Sequence, residues 1–181
     1  MNLSHDIHLG YCTNIHRGES WSETFDSLKS YTLAVRDQVA SDAAYGIGLR
    51  LGYDAAVELS APDQLEKFQM WLADENCYVF TINGFPYGKF HGTRVKEQVY
   101  LPDWTTKERL EYTNLLFDLI SVLAPKGQSA SVSTLPGSFK EFISDDSQVD
   151  EICRNLLACD QHIEELRQRA GRDLHLGLEP E

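Results

Sequence analysis

The sequence predicts an α/β fold: a partial (β/α)8 TIM barrel that carries strands one to five and lacks the carboxyl-terminal strands. Three observations lead there. Strand-like and helix-like periodicities alternate strictly along the chain, which argues for a parallel sheet covered by helices. Every strand has one bulky apolar face and one small or polar face, whereas strands buried between two helical layers read as continuous apolar runs. The strand count stops at five, in a chain of 181 residues, while a complete barrel takes roughly 250.

The elements follow in order. The first strand is expected at residues 7–14, where Ile7, Leu9 and Tyr11 alternate with His8, Gly10, Cys12 and Asn14. A helix over 20–39 opens on Ser20-Trp21-Ser22-Glu23, a capping box that satisfies orphan backbone donors. The second strand, 45–51, sets Tyr45, Ile47, Leu49 and Leu51 against Gly46, Gly48 and Arg50. Helical turns between 53 and 74 include a second start at Ser60, Pro62 and Asp63. The third strand, 77–83, sets Tyr78, Phe80 and Ile82 against Val79, Thr81 and Asn83. After a long polar loop, Thr105-Thr106-Lys107-Glu108 fits a capping box for a helix over 105–123. The fourth strand, 129–135, has Ala130, Val132 and Thr134 on one side and Ser129, Ser131 and Ser133 on the other. The helix over 147–169 carries a core stripe of Val149, Ile152, Leu156, Cys159, Ile163 and Leu166 and stops at Gly171. The fifth strand, 173–179, alternates Leu174, Leu176 and Leu178 with His175, Gly177 and Glu179.

All of this reads as one domain over residues 1–181. The formal net charge of −12 opposes binding to nucleic acid, whose phosphates need a basic footprint. No run is long enough to insert into a membrane. Cys12, Cys77, Cys153 and Cys159 form no C-x-x-C pair and read as reduced, mostly buried thiols, so the expected location is the cytoplasm.

The second face is more polar than the branched aliphatic filling usual in barrel interiors, which points to a pocket. Asn14, Arg50, Asn83, Ser133 and Glu179 would close that face at the carboxyl ends of the five strands, the rim where barrel enzymes place their chemistry. Glu179 is the strongest candidate, as a metal ligand or as a base toward carbon, with Glu181 as a second metal ligand. The bland alternative for each is a solvated strand end. The loop from Asn83 to Gly92 combines Phe85, Tyr87 and Phe90 with Lys89 and His91, so Tyr87 with the other rings offers an apolar wall and His91 a ligand, a proton shuttle or an orienting group. The bland alternative here is a surface loop packed on its own rings. It contains neither phosphate-loop pattern. His16 follows the first strand toward the same mouth, His175 reads as a satisfied core residue, and His5 and His162 read as exposed.

The segments Leu9-Gly10-Tyr11-Cys12-Thr13-Asn14-Ile15-His16, Phe80 to Gly88 with His91-Gly92, and Tyr100-Leu101-Pro102-Asp103-Trp104-Thr105-Thr106 resemble the EboE family. Ser131 to Pro136 and Leu176 to Glu181 extend the resemblance over nearly the whole chain. Members are called metabolite-traffic proteins and are related to xylose-isomerase-like sugar isomerases and epimerases. The resemblance implies a divalent metal (manganese, magnesium or zinc) and catalysis on, or carriage of, a small polyol, sugar or cyclitol-type metabolite. In that superfamily a glutamate after the fifth strand, in a Glu-Pro context, is metal ligand and proton-transfer base, and Glu179 matches it. The other ligands come from strands six to eight. Metal binding is therefore expected only with those strands, and the open barrel edge is expected to favour self-association.

Overall fold

The computed structural model describes residues 1–4, 7–88 and 97–180. Its strands are β1 (Asn2–Ser4), β2 (Ile7–His8), β3 (Gly10–Cys12), β4 (Tyr45–Arg50), β5 (Cys77–Asn83), β6 (Ala130–Thr134) and β7 (Leu174–Leu178). Its helices are α1 (Trp21–Ser27), continued through a π turn (Leu28–Thr32) into α2 (Leu33–Val39), then α3 (Tyr53–Leu59), α4 (Pro62–Asp74), α5 (Lys107–Leu123) and α6 (Asp146–Ala170).

β3 to β7 form one parallel sheet in the order β3-β4-β5-β6-β7. Right-handed crossovers that always step the same way leave every covering helix on one side. A doubly wound sheet reverses its order at a switch point, and these strands show no reversal. Ile47, Leu49, Val79, Ile82, Val132 and Leu174 point into the helical layer and have no exposed surface. The opposite face carries the glycines and hydroxyls.

The capping box of α1 has both arms, Glu23 N donating to Ser20 Oγ and Ser20 N to Glu23 Oε2, each at 3.2 Å. At α5 the cap falls one residue later than expected. Thr106 is the N-cap and accepts from Arg109 N, so Glu108 is not placed to close a box. Pro62 opens α4, but Ala61 holds the cap position and makes no side-chain cap bond. Gly171 ends α6 in the left-handed region at φ 61°, which glycine adopts without a Cβ penalty.

Four expectations about individual elements are corrected. The first strand ends at Cys12, and Thr13–Ile15 turn into a 3-10 helix, so Asn14 leaves the strand row. Within β5, Val79 pairs with Ile47 and Thr81 with Gly48, so Phe80 is a bulge. Cys77, Val79 and Ile82 consequently share the buried face, while the Phe80 ring lies over Gly10 and Gly46, where a Cβ would come within 2.9–3.0 Å of it. Val149 is exposed, and α6 buries Asn155 instead, whose Nδ2 donates to Trp104 O at 2.8 Å. Cys12 and Cys153 are exposed; only Cys77 and Cys159 are buried.

The polar amino terminus forms a small antiparallel hairpin, β1 with β2. The Met1 ammonium donates to Leu9 O at 2.6 Å, and His8 Nδ1 shares a hydrogen bond with Tyr78 Oη at 2.8 Å. These contacts anchor the hairpin at the amino end of the open face.

Candidate functional site

The open face is organised in tiers by the sheet register. One row runs Cys12, Gly48, Thr81, Ser131 and His175; the next, nearer the carboxyl ends, runs Arg50, Asn83, Ser133 and Gly177. Thr81 Oγ1 and Ser131 Oγ lie 2.8 Å apart and share a hydrogen bond. Glu179 follows β7, with its backbone N donating to Thr134 O at 2.9 Å, which extends the ladder by one step. Its carboxylate reaches back across β6, where Oε1 accepts from Asn83 Nδ2 at 3.4 Å. Asn83 Oδ1 meanwhile accepts from Phe85 N at 3.2 Å, so one side chain caps the loop and holds the acid. Two of the strand-end expectations, Asn83 and Glu179, are thus brought together, with Ser133 between their strands.

Arg50 lies at the same level but is committed elsewhere. It is 3% exposed. Nη1 donates to Gly18 O at 2.8 Å, Nη2 to Gly88 O at 2.9 Å, and Nη2 stands 3.6 Å from Glu19 Oε2. This guanidinium binds the loop after β3 to the loop after β5, and so shapes the rim. Asn14 Oδ1 is buried without a hydrogen-bond partner among the described residues.

His16 and Tyr87 lie apart from the Asn83–Glu179 pair. His16 Nε2 bonds Tyr11 Oη at 2.9 Å, and its ring stacks on Tyr31 at 4.9 Å. It lines, with Thr13, Arg17 and Arg50, a cavity of about 10 Å³, room for one water at most. Burial lowers the His16 pKa. Tyr87 stacks on Tyr53 at 4.9 Å and meets Tyr112 edge-on at 5.0 Å, packing between α3 and α5. His91 and Glu181, and His5 with them, lie outside the described residues.

Two further histidines differ from expectation. His175 is exposed, because β7 is the last strand of the sheet and no neighbour covers its open face; its Nε2 lies 3.1 Å from Asp173 Oδ2. His162 is only 23% exposed and bonds Asp118 at 2.9 Å, linking α6 to α5.

A second set of residues fixes the rim and was not foreseen. Arg109, fully buried, donates through Nε to Pro102 O at 2.7 Å, through Nη1 to Gly84 O at 2.8 Å, and through Nη2 to Phe85 O at 3.1 Å. Tyr87 and Tyr112 present ring faces to it, and burial lowers its pKa to about 10. Tyr112 Oη donates to Leu51 O and Pro86 O. Asp103, 3% exposed, accepts from Thr105 N at 3.0 Å and from the hydroxyls of Thr105 and Ser138. The one sequence signal was their position, inside or just after the Leu101-Pro102-Asp103-Trp104 segment.

A divalent metal needs several oxygen or nitrogen ligands held together. Among the described residues no group of three or more His, Cys, Asp or Glu is arranged to hold one; Glu179 supplies a single carboxylate. These residues do not by themselves fit a metal shell. No helix among them is long and apolar enough to cross a membrane.

Compared with known proteins, the chain matches no family model, no curated protein and no solved structure.

Proposed function

We propose that the chain forms one side of a (β/α)8-type barrel, as its resemblance to the EboE family implies. On this reading the open face between β5 and β7 takes a small polyol, sugar or cyclitol-type metabolite in the cytoplasm. The observation that carries the proposal is the convergence of Glu179 and Asn83 above the Thr81–Ser131 hydroxyl pair. One carboxylate, one amide and several hydroxyls offer both donors and acceptors with little fixed charge, which suits a neutral polyhydroxylated ligand.

Glu179 is the one group of this set that moves a proton. In an isomerase or epimerase it takes the proton from the carbon next to a carbonyl and returns it, to the neighbouring carbon in an isomerase or to the opposite face in an epimerase. Asn83 Nδ2 holds the carboxylate for that task. A carrier would use the same contacts without turnover.

The test is a thermal-shift and turnover screen of the full chain against free pentoses, hexoses and inositols. A sugar that binds the native state raises Tm. The shift is expected to vanish in Asn83→Ala. In Glu179→Gln, turnover falling by about two to four orders of magnitude marks the enzyme; binding retained with no turnover in either protein marks the carrier. A panel that never shifts Tm, or shifts it equally in Asn83→Ala, overturns the proposal.

A further inference from the structure

Position 84 is too crowded for a side chain unless its neighbours shift. A Cβ there would lie 2.5 Å from Leu116 Cδ1 and 3.0 Å from Ser133 O. Position 83 has its own constraint, since its amide both holds Glu179 and caps the Phe85 turn. Together they favour an Asn-Gly pair in the candidate site. Of the six asparagines, at 2, 14, 76, 83, 114 and 155, only Asn83 precedes a glycine; the others precede Leu, Ile or Cys. A following glycine has no side chain to hinder attack of its backbone nitrogen on the asparagine amide.

We propose that Asn83–Gly84 is a self-modification site, and that the fold holds it shut. The Gly84 nitrogen bonds to Asn83 Cγ, and the side-chain nitrogen departs as ammonia, carrying the proton lost from Gly84 N. Water then opens the five-membered imide at either carbonyl, leaving aspartate or isoaspartate. In the folded chain each part of that ring is restrained. Gly84 N donates to Ser133 O at 2.9 Å, so the attacking nitrogen is already engaged. Arg109 grips the carbonyls of Gly84 and Phe85, and Asn83 itself is the last residue of β5. Closing the ring requires the Asn83–Gly84 peptide to rotate out of the strand, which breaks the Gly84 N–Ser133 O bond and pulls the adjoining Gly84 carbonyl against its bond to Arg109. Modification therefore proceeds only from locally opened molecules.

The aspartate product places a carboxylate where Asn83 Nδ2 now donates to Glu179, and the isoaspartate product removes that donor while rerouting the backbone through the former side chain. In the aspartate, a donor becomes a second negative charge about one hydrogen-bond length away, and like charges this close cannot both remain ionised without cost. Loss of ligand handling as a result rests on the proposed function above; the modification does not.

The experiment follows the full chain in mildly alkaline buffer, native and in urea, by peptide mapping with mass spectrometry. Conversion at Asn83 is expected to be at least about tenfold slower in the native state, as for any reaction gated by local opening, while the other five asparagines stay intact in both. Arg109→Lys, which keeps the charge but not the fork, is expected to convert faster than the parent under native conditions. Should that variant not fold, hydrogen exchange at Gly84 N in the parent replaces it: protection supports the closed site, and free exchange overturns it. Equal conversion of native and unfolded chain, equal rates for parent and folded Arg109→Lys, or no preference for Asn83 in urea would each refute the proposal. Because the readout is the mass of one peptide, it is independent of whether any metabolite binds.

Discussion

The helix-covered face of the sheet and its open face are made from alternate residues of the same strands, yet they are filled on opposite principles. On the covered side, Ile47, Leu49, Val79, Ile82, Val132 and Leu174 are fully buried and touch helices. On the open side the same strands present Gly48, Thr81, Ser131, Ser133 and Gly177. The covered face stabilises the fold through apolar area removed from water. The open face has little such area to lose, and its polar groups pair with one another, Thr81 with Ser131 and Asn83 with Glu179. Between them stands the carboxyl rim, where Arg50 and Arg109 are buried like core residues but bond to loop backbone and, for Arg50, to Glu19. The contrast places the apolar packing on one face and the polar groups on the other, with two arginines fixing the border.

The largest effect should come from that border. Arg109→Met keeps the stem but takes the donor from the buried carbonyls of Gly84 and Phe85 and from the half-buried one of Pro102, at about 1–3 kcal/mol for each group stranded. A loss of about 3–5 kcal/mol is expected, read as a drop in the urea midpoint at unchanged m-value. A loss below about 1 kcal/mol, the worth of an ordinary exposed contact, would mean that the clamp is dispensable.

Next comes the covered face against the open one. Ile47→Ala should cost about 2–5 kcal/mol, because it removes buried methylenes and leaves a cavity. Ser131→Ala, on the other side of the same sheet, should cost no more than about 1 kcal/mol, one hydroxyl bond with Thr81. Comparable losses at the two positions would erase the distinction between the faces.

Gly46→Ala should blur it. Gly46 belongs to the open face, but a Cβ would come 2.9 Å from Leu9 O, 3.0 Å from Met1 N and 3.0 Å from the Phe80 ring. Overpacking of that kind costs about 1–3 kcal/mol. The amino end of the open face is therefore predicted to behave as core, and thermal unfolding of the variant measures how far up the face that behaviour extends. No loss would show that the hairpin yields.

The same division explains what was legible in the sequence. The covered face announces itself through periodicity, so the five strands, their helices, the α1 capping box and the Gly171 stop were readable from residue types alone. The Phe80 bulge was not. Strict alternation assigned Phe80 and Ile82 to one side, and only the space above Gly10 and Gly46 shows that the ring crosses to the other. Asn83 and Glu179 were readable because strand ends on one face must converge if neighbouring strands do. Arg50 was readable as a strand-end residue, but not as one already bound to loop carbonyls. Asn155 carries no mark in a linear pattern, and Asp103 and Arg109 carry none beyond their nearness to the Leu101-Pro102-Asp103-Trp104 segment, since a charged or amide residue on a helix or loop is ordinarily solvated. Their partners are backbone atoms, which no sequence motif displays.

The smallest effect tests the border from its other end, at His16. The imidazole bonds Tyr11 Oη and stacks on Tyr31, and its partial burial sets its pKa below the ordinary 6.5. The unfolded chain therefore takes up this proton before the folded chain does. Where the unfolded state binds more protons, stability rises with pH, so the His16 contribution is fully present above about 6.5 and is lost as the pH falls from there through the folded pKa. His16→Asn should flatten the dependence of Tm on pH in that window while changing Tm little at neutral pH. Identical pH slopes for parent and variant would show that protonation at His16 is tolerated where it sits, and that this corner, unlike the Arg109 side, is already wet.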